Sequence, residues 1–245
     1  METKFILPSG TSVELTPFNG YTFDMMASDS KDPNILKKVL ARHIVSLDSV
    51  AIEKSDQLDL MYEGDFLHCL VLLRVISIGP EYNMVYKCEC GQEMNLLINL
   101  TNVLDQSKTL EELNSETDMN IECKKVVINR VGYLIKLLKL SDQNKIAIEN
   151  KNTRNKMSVT IGIMGCLKGI FDPDNIILES TPIGEQIQPS PVNPSYIQGL
   201  DYKTHLQLQD EISNFKLGPD MLAEDICTCN KEFRISIMGA NFFKP

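Results

Sequence analysis

The chain has 245 residues, and its hydrophobic share of 43% is enough to build a sizeable core. It contains no tryptophan, and its aromatic share of 7% disfavours a surface that binds nucleic acids or sugars by stacking. A formal net charge of −9 would repel DNA and anionic membranes. We therefore expect neither nucleic acid nor membrane as a partner.

The N-terminus carries no basic-then-apolar leader, and no uninterrupted apolar run reaches the ~18 residues that a membrane span needs. We expect a soluble protein that is made inside the cell. In that reducing compartment the seven cysteines are poor evidence for disulfides.

The first third of the chain combines short strands with helices. Residues 4–18 alternate around a Pro-Ser-Gly turn and predict a small β-element, and residues 20–60 predict mainly helix. Residues 60–78 are apolar almost all round, which predicts a core helix that Gly79 and Pro80 end. A β-hairpin is expected to follow directly.

The remainder repeats the same mixture. Residues 105–118 indicate an acidic connection or a short exposed helix, and residues 121–140 alternate as strands do. Residues 141–170 predict one long helix, residues 181–196 a proline-rich loop, and residues 200–216 another helix. A second hairpin closes the chain.

Each hairpin carries two cysteines at its turn, one intervening residue apart. Cys88 and Cys90 precede one alternating apolar run, and Cys227 and Cys229 precede the other. Four thiolates satisfy the number and type of ligands in a structural zinc site, although a zinc knuckle usually leaves two residues between its cysteines. The sequence therefore leaves two interpretations open: one zinc ion joining both hairpins, or two thiol pairs without metal.

No catalytic constellation is recognisable. Cys69 and Cys166 lie on apolar helical faces, and Cys123 has no histidine or aspartate partner nearby in the sequence. The three histidines form no metal-binding pair, and phosphate-binding glycine motifs are absent. We expect a protein that is not an enzyme and has no small-molecule substrate.

Several motifs, read in order, resemble the baseplate hub proteins of contractile-tailed (myovirus) bacteriophages. They are Leu7-Pro8-Ser9-Gly10, Glu63-Gly64-Asp65, Leu72-Leu73-Arg74, Ser77-x-Gly79-Pro80, the two cysteine turns, and Phe242-Phe243-Lys244-Pro245. The family's first knuckle cysteine would fall at Lys87 and Ile226, whereas this chain places it one residue later in both turns. The resemblance is good over residues 5–100 and 200–245 and weak between them.

The resemblance implies a structural virion component in the tail baseplate that contacts other hub or tail tube proteins. An alternative is a hub assembly chaperone that the virion does not retain, and a less favoured one is a thiol- or metal-dependent enzyme. Phe242 and Phe243 would bind a partner, or would instead pack on their own domain.

The expected fold class is α+β, with a helical core, short β-elements, and two knuckle hairpins that form a zinc-ribbon-like clasp. We divide the chain into residues 1–104, with the first cysteine hairpin; 105–199, a middle α+β segment; and 200–245, whose second hairpin and tail pack back on the first.

Overall fold

A computed structural model describes residues 3–28, 32–117, 123–154, 156–173, 190–238 and 242–243. The helices are α1 (Gly20–Ser28), α2 (Ile35–His43), α3 (Glu63–Ser77), α4 (Leu100–Asp105), α5 (Leu110–Thr117), α6 (Leu140–Asn152), α7 (Ser158–Cys166), α8 (Pro194–Gln198) and α9 (Tyr202–Asn214). The strands are β1 (Lys4–Ile6), β2 (Ser12–Leu15), β3 (Ile44–Leu47), β4 (Val50–Ala51), β5 (Glu81–Lys87), β6 (Glu93–Asn99), β7 (Cys123–Ile128), β8 (Val131–Lys136), β9 (Leu167–Phe171), β10 (Leu222–Ile226) and β11 (Glu232–Ser236).

The strands form small antiparallel sheets, which together with the helices confirms the expected α+β class. One sheet has the order β1-β2-β3-β4, another the order β7-β8-β9, and the pairs β5-β6 and β10-β11 are two-stranded hairpins. The chain divides into two compact units. Unit 1 comprises Met1–Leu58, Gly64–Lys108 and Gly218–Pro245, and unit 2 comprises Asp59–Glu63 and Thr109–Leu217.

Unit 1 is built around α3, whose central residues are inaccessible to solvent. Cys69, Leu70, Val71 and Leu73 have no exposed surface. This burial agrees with the all-round apolar sequence that predicted a core helix. Gly79, in the left-handed region at φ 126°, ends the helix before β5 begins.

Both ends of α3 are fixed by side-chain hydrogen bonds to the N-terminal segment. The Ser9 backbone N–H donates to Asp65 Oδ1 at 3.0 Å, and the Phe18 N–H donates to Ser77 Oγ at 2.9 Å. Asp65 is buried, and burial raises the pKa of its carboxyl group. These polar residues position the helix within unit 1.

A close backbone approach joins α3 to the start of the C-terminal segment. Gly218 adopts φ 87°, and a Cβ atom at this position would lie 2.5 Å from the carbonyl oxygen of Gly64. Only glycine therefore fits at Gly218 without moving one of the two backbones.

Unit 2 packs the β7-β8-β9 sheet against helices α5, α7, α8 and α9, and α6 packs on α7. Its buried cluster contains Leu113, Val126, Ile128, Tyr133, Ile135, Leu137, Ile163, Leu167, Ile197, Leu208, Phe215 and Leu217. Gly132 of β8 leaves space for the Phe171 ring, which a Cβ would meet at 2.3 Å.

Two sequence-based expectations need correction, and a third can be compared with the structure only at its end. The predicted long helix over 141–170 is divided into three elements. Helix α6 is followed by a turn in which Arg154 has φ 53°, then by α7, and then by the strand β9. Residues 20–60 also contain β3 and β4, joined by a turn with Asp48 and Ser49 at positive φ. Most of the predicted loop at 181–196 lies outside the described residues, and its end begins α8.

The predicted segment boundaries at 104 and 199 stay a prediction. Helix α9 belongs to unit 2, and the second cysteine hairpin belongs to unit 1 together with the first. Within the described residues, no helix combines the length and apolar character that crossing a membrane requires.

Candidate metal centre

The first cysteine knuckle, residues 88–92, is the tight connection between β5 and β6. The Cys88 N–H donates to the Gln92 carbonyl at 2.8 Å, and the Gly91 N–H donates to the Cys88 carbonyl at 2.8 Å. Gly91 has φ 92°, a conformation that glycine adopts without steric cost. The turn thereby places Cys88 and Cys90 at the tip of the hairpin.

The second knuckle, residues 227–231, repeats this arrangement between β10 and β11. The Cys227 N–H donates to the Lys231 carbonyl at 2.9 Å, and the Asn230 N–H donates to the Cys227 carbonyl at 2.7 Å. Asn230 takes the left-handed position at φ 62°, which asparagine tolerates better than most residues. The two knuckles therefore share the same backbone hydrogen bonds.

The two knuckles bring all four cysteine sulfurs together. Cys88 Sγ lies 3.8 Å from Cys229 Sγ, and Cys90 Sγ lies 3.7 Å from Cys227 Sγ. All four sulfurs lie within 4.8 Å of one another. At a Zn–S distance of ~2.3 Å, two corners of a tetrahedron are ~3.8 Å apart, so the two shortest separations match those of ligands around one zinc ion.

The four cysteine residues of the cluster differ in exposure. Cys88 and Cys227 are buried, whereas Cys90 and Cys229 are exposed. Each of the two closest sulfur pairs therefore joins one buried and one exposed cysteine.

The sulfurs also influence one another's ionisation. The backbone N–H of Cys229 and the neighbouring thiols lower the pKa of Cys227 to about 7. The backbone N–H of Cys90 acts to lower the pKa of Cys88, but burial and the other three thiols raise it to about 11. Because thiolates this close repel, four of them need a cation between them.

Side chains beside the cluster also join the knuckles. The Lys231 ammonium pairs with the Glu89 carboxylate, and the Thr228 hydroxyl donates to Gln92 Oε1. The Lys231 interaction lowers the pKa of Glu89. Both pairs are solvent-exposed, so they contribute little to stability.

Two aromatic rings pack between the hairpins. Tyr86 of β5 stacks on Phe233 of β11 with centroids 4.3 Å apart and an interplanar angle of 15°. This contact supplies apolar packing between the two hairpins.

Phe242 and Phe243 lie inside unit 1, with 2% and 8% of their surface exposed. Phe242 packs edge-on against Tyr82, and Phe243 packs edge-on against Phe18. A partner-binding role for the two rings stays a prediction, and it would require them to leave these positions.

Arg74 secures this C-terminal contact, and sequence reasoning did not identify its role. Its guanidinium donates to the carbonyls of Phe242 at 2.7 Å, Gly79 at 2.6 Å and Glu81 at 3.0 Å, and it lies 5.1 Å from the Tyr82 ring centroid. The available signal was a single arginine within the apolar run of residues 69–76 in α3, since a buried charge requires partners.

The family described as T4 bacteriophage base plate protein matches residues 1–188 of this chain. The chain belongs to this family. The expected baseplate protein of a contractile-tailed phage is thus confirmed, and a structural role in the phage tail follows from the family. Searches of the curated proteins and of the solved structures found no match.

The matched part of the baseplate protein contains the first knuckle, α3 and Arg74. The second knuckle and the two C-terminal phenylalanines lie beyond residue 188. The four-sulfur cluster therefore joins a hairpin inside the matched region to one outside it.

Proposed function

We propose that this protein is a non-enzymatic structural subunit of the baseplate hub, and that one zinc ion held by Cys88, Cys90, Cys227 and Cys229 fastens its two hairpins. The observation that carries the proposal is the four-sulfur cluster in a member of a phage baseplate family. Sulfur separations of 3.7 and 3.8 Å support a tetrahedral ion.

Zinc with four protein ligands has no open coordination position for a substrate. Such a site stabilises the fold and does not take part in catalysis. The ion would join β10-β11 to β5-β6 in a zinc-ribbon-like clasp. The Tyr86–Phe233 stack supports the same connection, and the Arg74–Phe242 hydrogen bond holds the C-terminal tail to α3. The free energy of metal binding would then contribute directly to the folding of unit 1.

The properties of the other cysteines support a non-enzymatic role. Burial raises the pKa of the Cys69 thiol, and burial raises that of Cys166 to about 11. Both thiols are therefore protonated at neutral pH and are weak nucleophiles.

Other hub or tail tube proteins are the proposed partners, in a virion whose subunits are made in the host cytoplasm. The baseplate family supports partners of this class. The net charge of −9 supports association with proteins over nucleic acids or anionic membranes.

Quantitative mass spectrometry of purified virions tests the structural role. A hub subunit should be present in a fixed ratio to other baseplate proteins. Absence from mature particles, together with presence in assembly intermediates, would indicate an assembly chaperone instead.

Serine variants of Cys88 and Cys227 should lower stability or block assembly. Loss of a catalytic activity in a variant that keeps the wild-type stability would indicate an enzyme.

A further inference from the structure

The four cysteines form two close pairs, and each pair joins the two knuckles. The Cys88 and Cys229 sulfurs are 3.8 Å apart, and the Cys90 and Cys227 sulfurs are 3.7 Å apart. The paired residues are separated by 141 and 137 positions in the chain.

We propose that the metal-free cluster is an oxidation site at which a peroxide forms two disulfides, Cys88–Cys229 and Cys90–Cys227. The inference rests on the same sulfur cluster as the proposed function, but it does not depend on which metal the cluster binds. Each disulfide requires two thiols to lose two electrons and two protons, and one hydrogen peroxide takes them up as two water molecules.

The distribution of exposure gives the order of the two chemical steps. An exposed thiolate, Cys90 or Cys229, attacks the peroxide; an S–O bond forms, the O–O bond breaks, and hydroxide leaves to be protonated to water. The buried thiol of the same pair then gives up its proton and attacks the sulfenic sulfur; the S–O bond breaks, and the departing hydroxide takes up that proton and leaves as a second water. Each pair contains one sulfur for each step.

The geometry favours this pairing over the two others that four cysteines allow. Within each close pair, the two sulfurs need to approach by only about 1.7 Å to reach the S–S bond length of ~2.05 Å. A disulfide within one knuckle would close a small, strained ring through a single residue. The remaining pairing would join Cys88 to Cys227, both buried and shielded from peroxide, and Cys90 to Cys229.

The proposed disulfides would connect the same two hairpins as the proposed metal ion. A baseplate protein that left the reducing cytoplasm could then lose its metal and keep its C-terminal segment in place. The clasp would be held by coordination during assembly and by covalent bonds afterwards.

Disulfide mapping of the full-length protein tests the pairing. The purified chain is treated with EDTA, exposed to hydrogen peroxide, and digested without reduction by a glutamate-specific protease. Cleavage after Glu89 separates Cys88 from Cys90, and electron-transfer fragmentation separates Cys227 from Cys229. Random pairing would give the proposed connectivity in about one third of molecules, and we expect at least about three quarters.

Two double variants provide matched controls. Cys88→Ser with Cys229→Ser leaves the close pair Cys90 and Cys227, whereas Cys88→Ser with Cys227→Ser leaves the two exposed sulfurs. We expect the first to form its disulfide roughly tenfold faster, because its sulfurs are already in contact. Far-UV circular dichroism verifies that both variants are folded.

Equal rates in the two variants, pairing within a knuckle, random connectivity, or four free thiols after peroxide treatment would each overturn the proposal. The zinc content is measured separately, before chelation. A chain without zinc that forms the proposed disulfides would refute the zinc clasp alone. A zinc-containing chain that forms other pairs would refute the oxidation site alone.

Discussion

Replacing Arg74 by alanine would remove three hydrogen bonds at once from unit 1. Arg74 is 3% exposed, and its guanidinium donates to the carbonyl of Phe242 in a buried hydrogen bond and to those of Gly79 and Glu81 in partly buried ones. A buried carbonyl left without a donor costs about 1–3 kcal/mol, and a partly exposed one costs less because water can replace the donor. Because relaxation and entering water recover part of this, we expect a loss of about 3–5 kcal/mol, a large fraction of a typical domain's stability.

Urea unfolding followed by far-UV circular dichroism measures this loss. Arg74→Met retains most of the apolar volume but has no donors, so it should resemble alanine. Arg74→Lys retains the charge without the planar fork and should lose about 2 kcal/mol. The matched control is Arg234→Ala, which removes an exposed ion pair with Glu224 and should change stability by at most about 0.5 kcal/mol. A loss below about 1 kcal/mol for Arg74→Ala would refute the reasoning.

Two further predictions concern pH and backbone space in unit 1. Burial lowers the pKa of His68 from 6.5 to about 4, so the unfolded chain binds a proton at higher pH than the folded one. The free energy of unfolding should therefore fall by up to about 3 kcal/mol as pH decreases from 6.5 to 4. Urea titrations of His68→Asn should show a flatter pH dependence than those of the wild type, and parallel curves for the two proteins would contradict this. Gly218→Ala should lower the free energy of unfolding by about 3 kcal/mol or more in the same assay, since its Cβ would meet Gly64. Gly10→Ala is the control: it has φ 88° but open space around the Cβ, so it should lose about 1 kcal/mol, and equal losses would contradict the steric argument.

The elements that the sequence predicted well have an uninterrupted periodicity. Residues 93–99 alternate between exposed and half-buried positions as a hairpin strand should, and the apolar run before Gly79 forms the buried helix α3. The matching cysteine turns predicted that two distant hairpins would meet. They meet in unit 1, with all four sulfurs within 4.8 Å.

The sequence-based predictions failed where a short segment fits both the helical spacing and the alternation of a strand. Leu167 and Phe171 continue the apolar spacing of α7, yet they are buried as alternate residues of a strand. Asp48 and Ser49 form a hairpin turn without glycine, so the turn left no clear signal. Short runs of this kind are decided by tertiary packing, which the sequence does not show locally.

The sequence could not predict which cysteines lie close together or which groups Arg74 binds. The contact of Cys88 with Cys229 depends on how the two hairpins pack together. The acceptors of Arg74 are backbone carbonyls, one of them 168 residues away, and any residue type can provide a carbonyl. Sequence patterns identify side chains, whereas these contacts depend on backbone positions.

The metal content of the purified protein tests the zinc clasp most directly. Elemental analysis should find one zinc per chain, and X-ray absorption at the zinc edge should show four sulfur neighbours at ~2.3 Å. Serine at Cys88 or Cys227 should reduce the bound zinc, whereas serine at Cys123 should leave it unchanged. Less than about half an equivalent of zinc per chain, with all four cluster thiols free to react, would contradict the account.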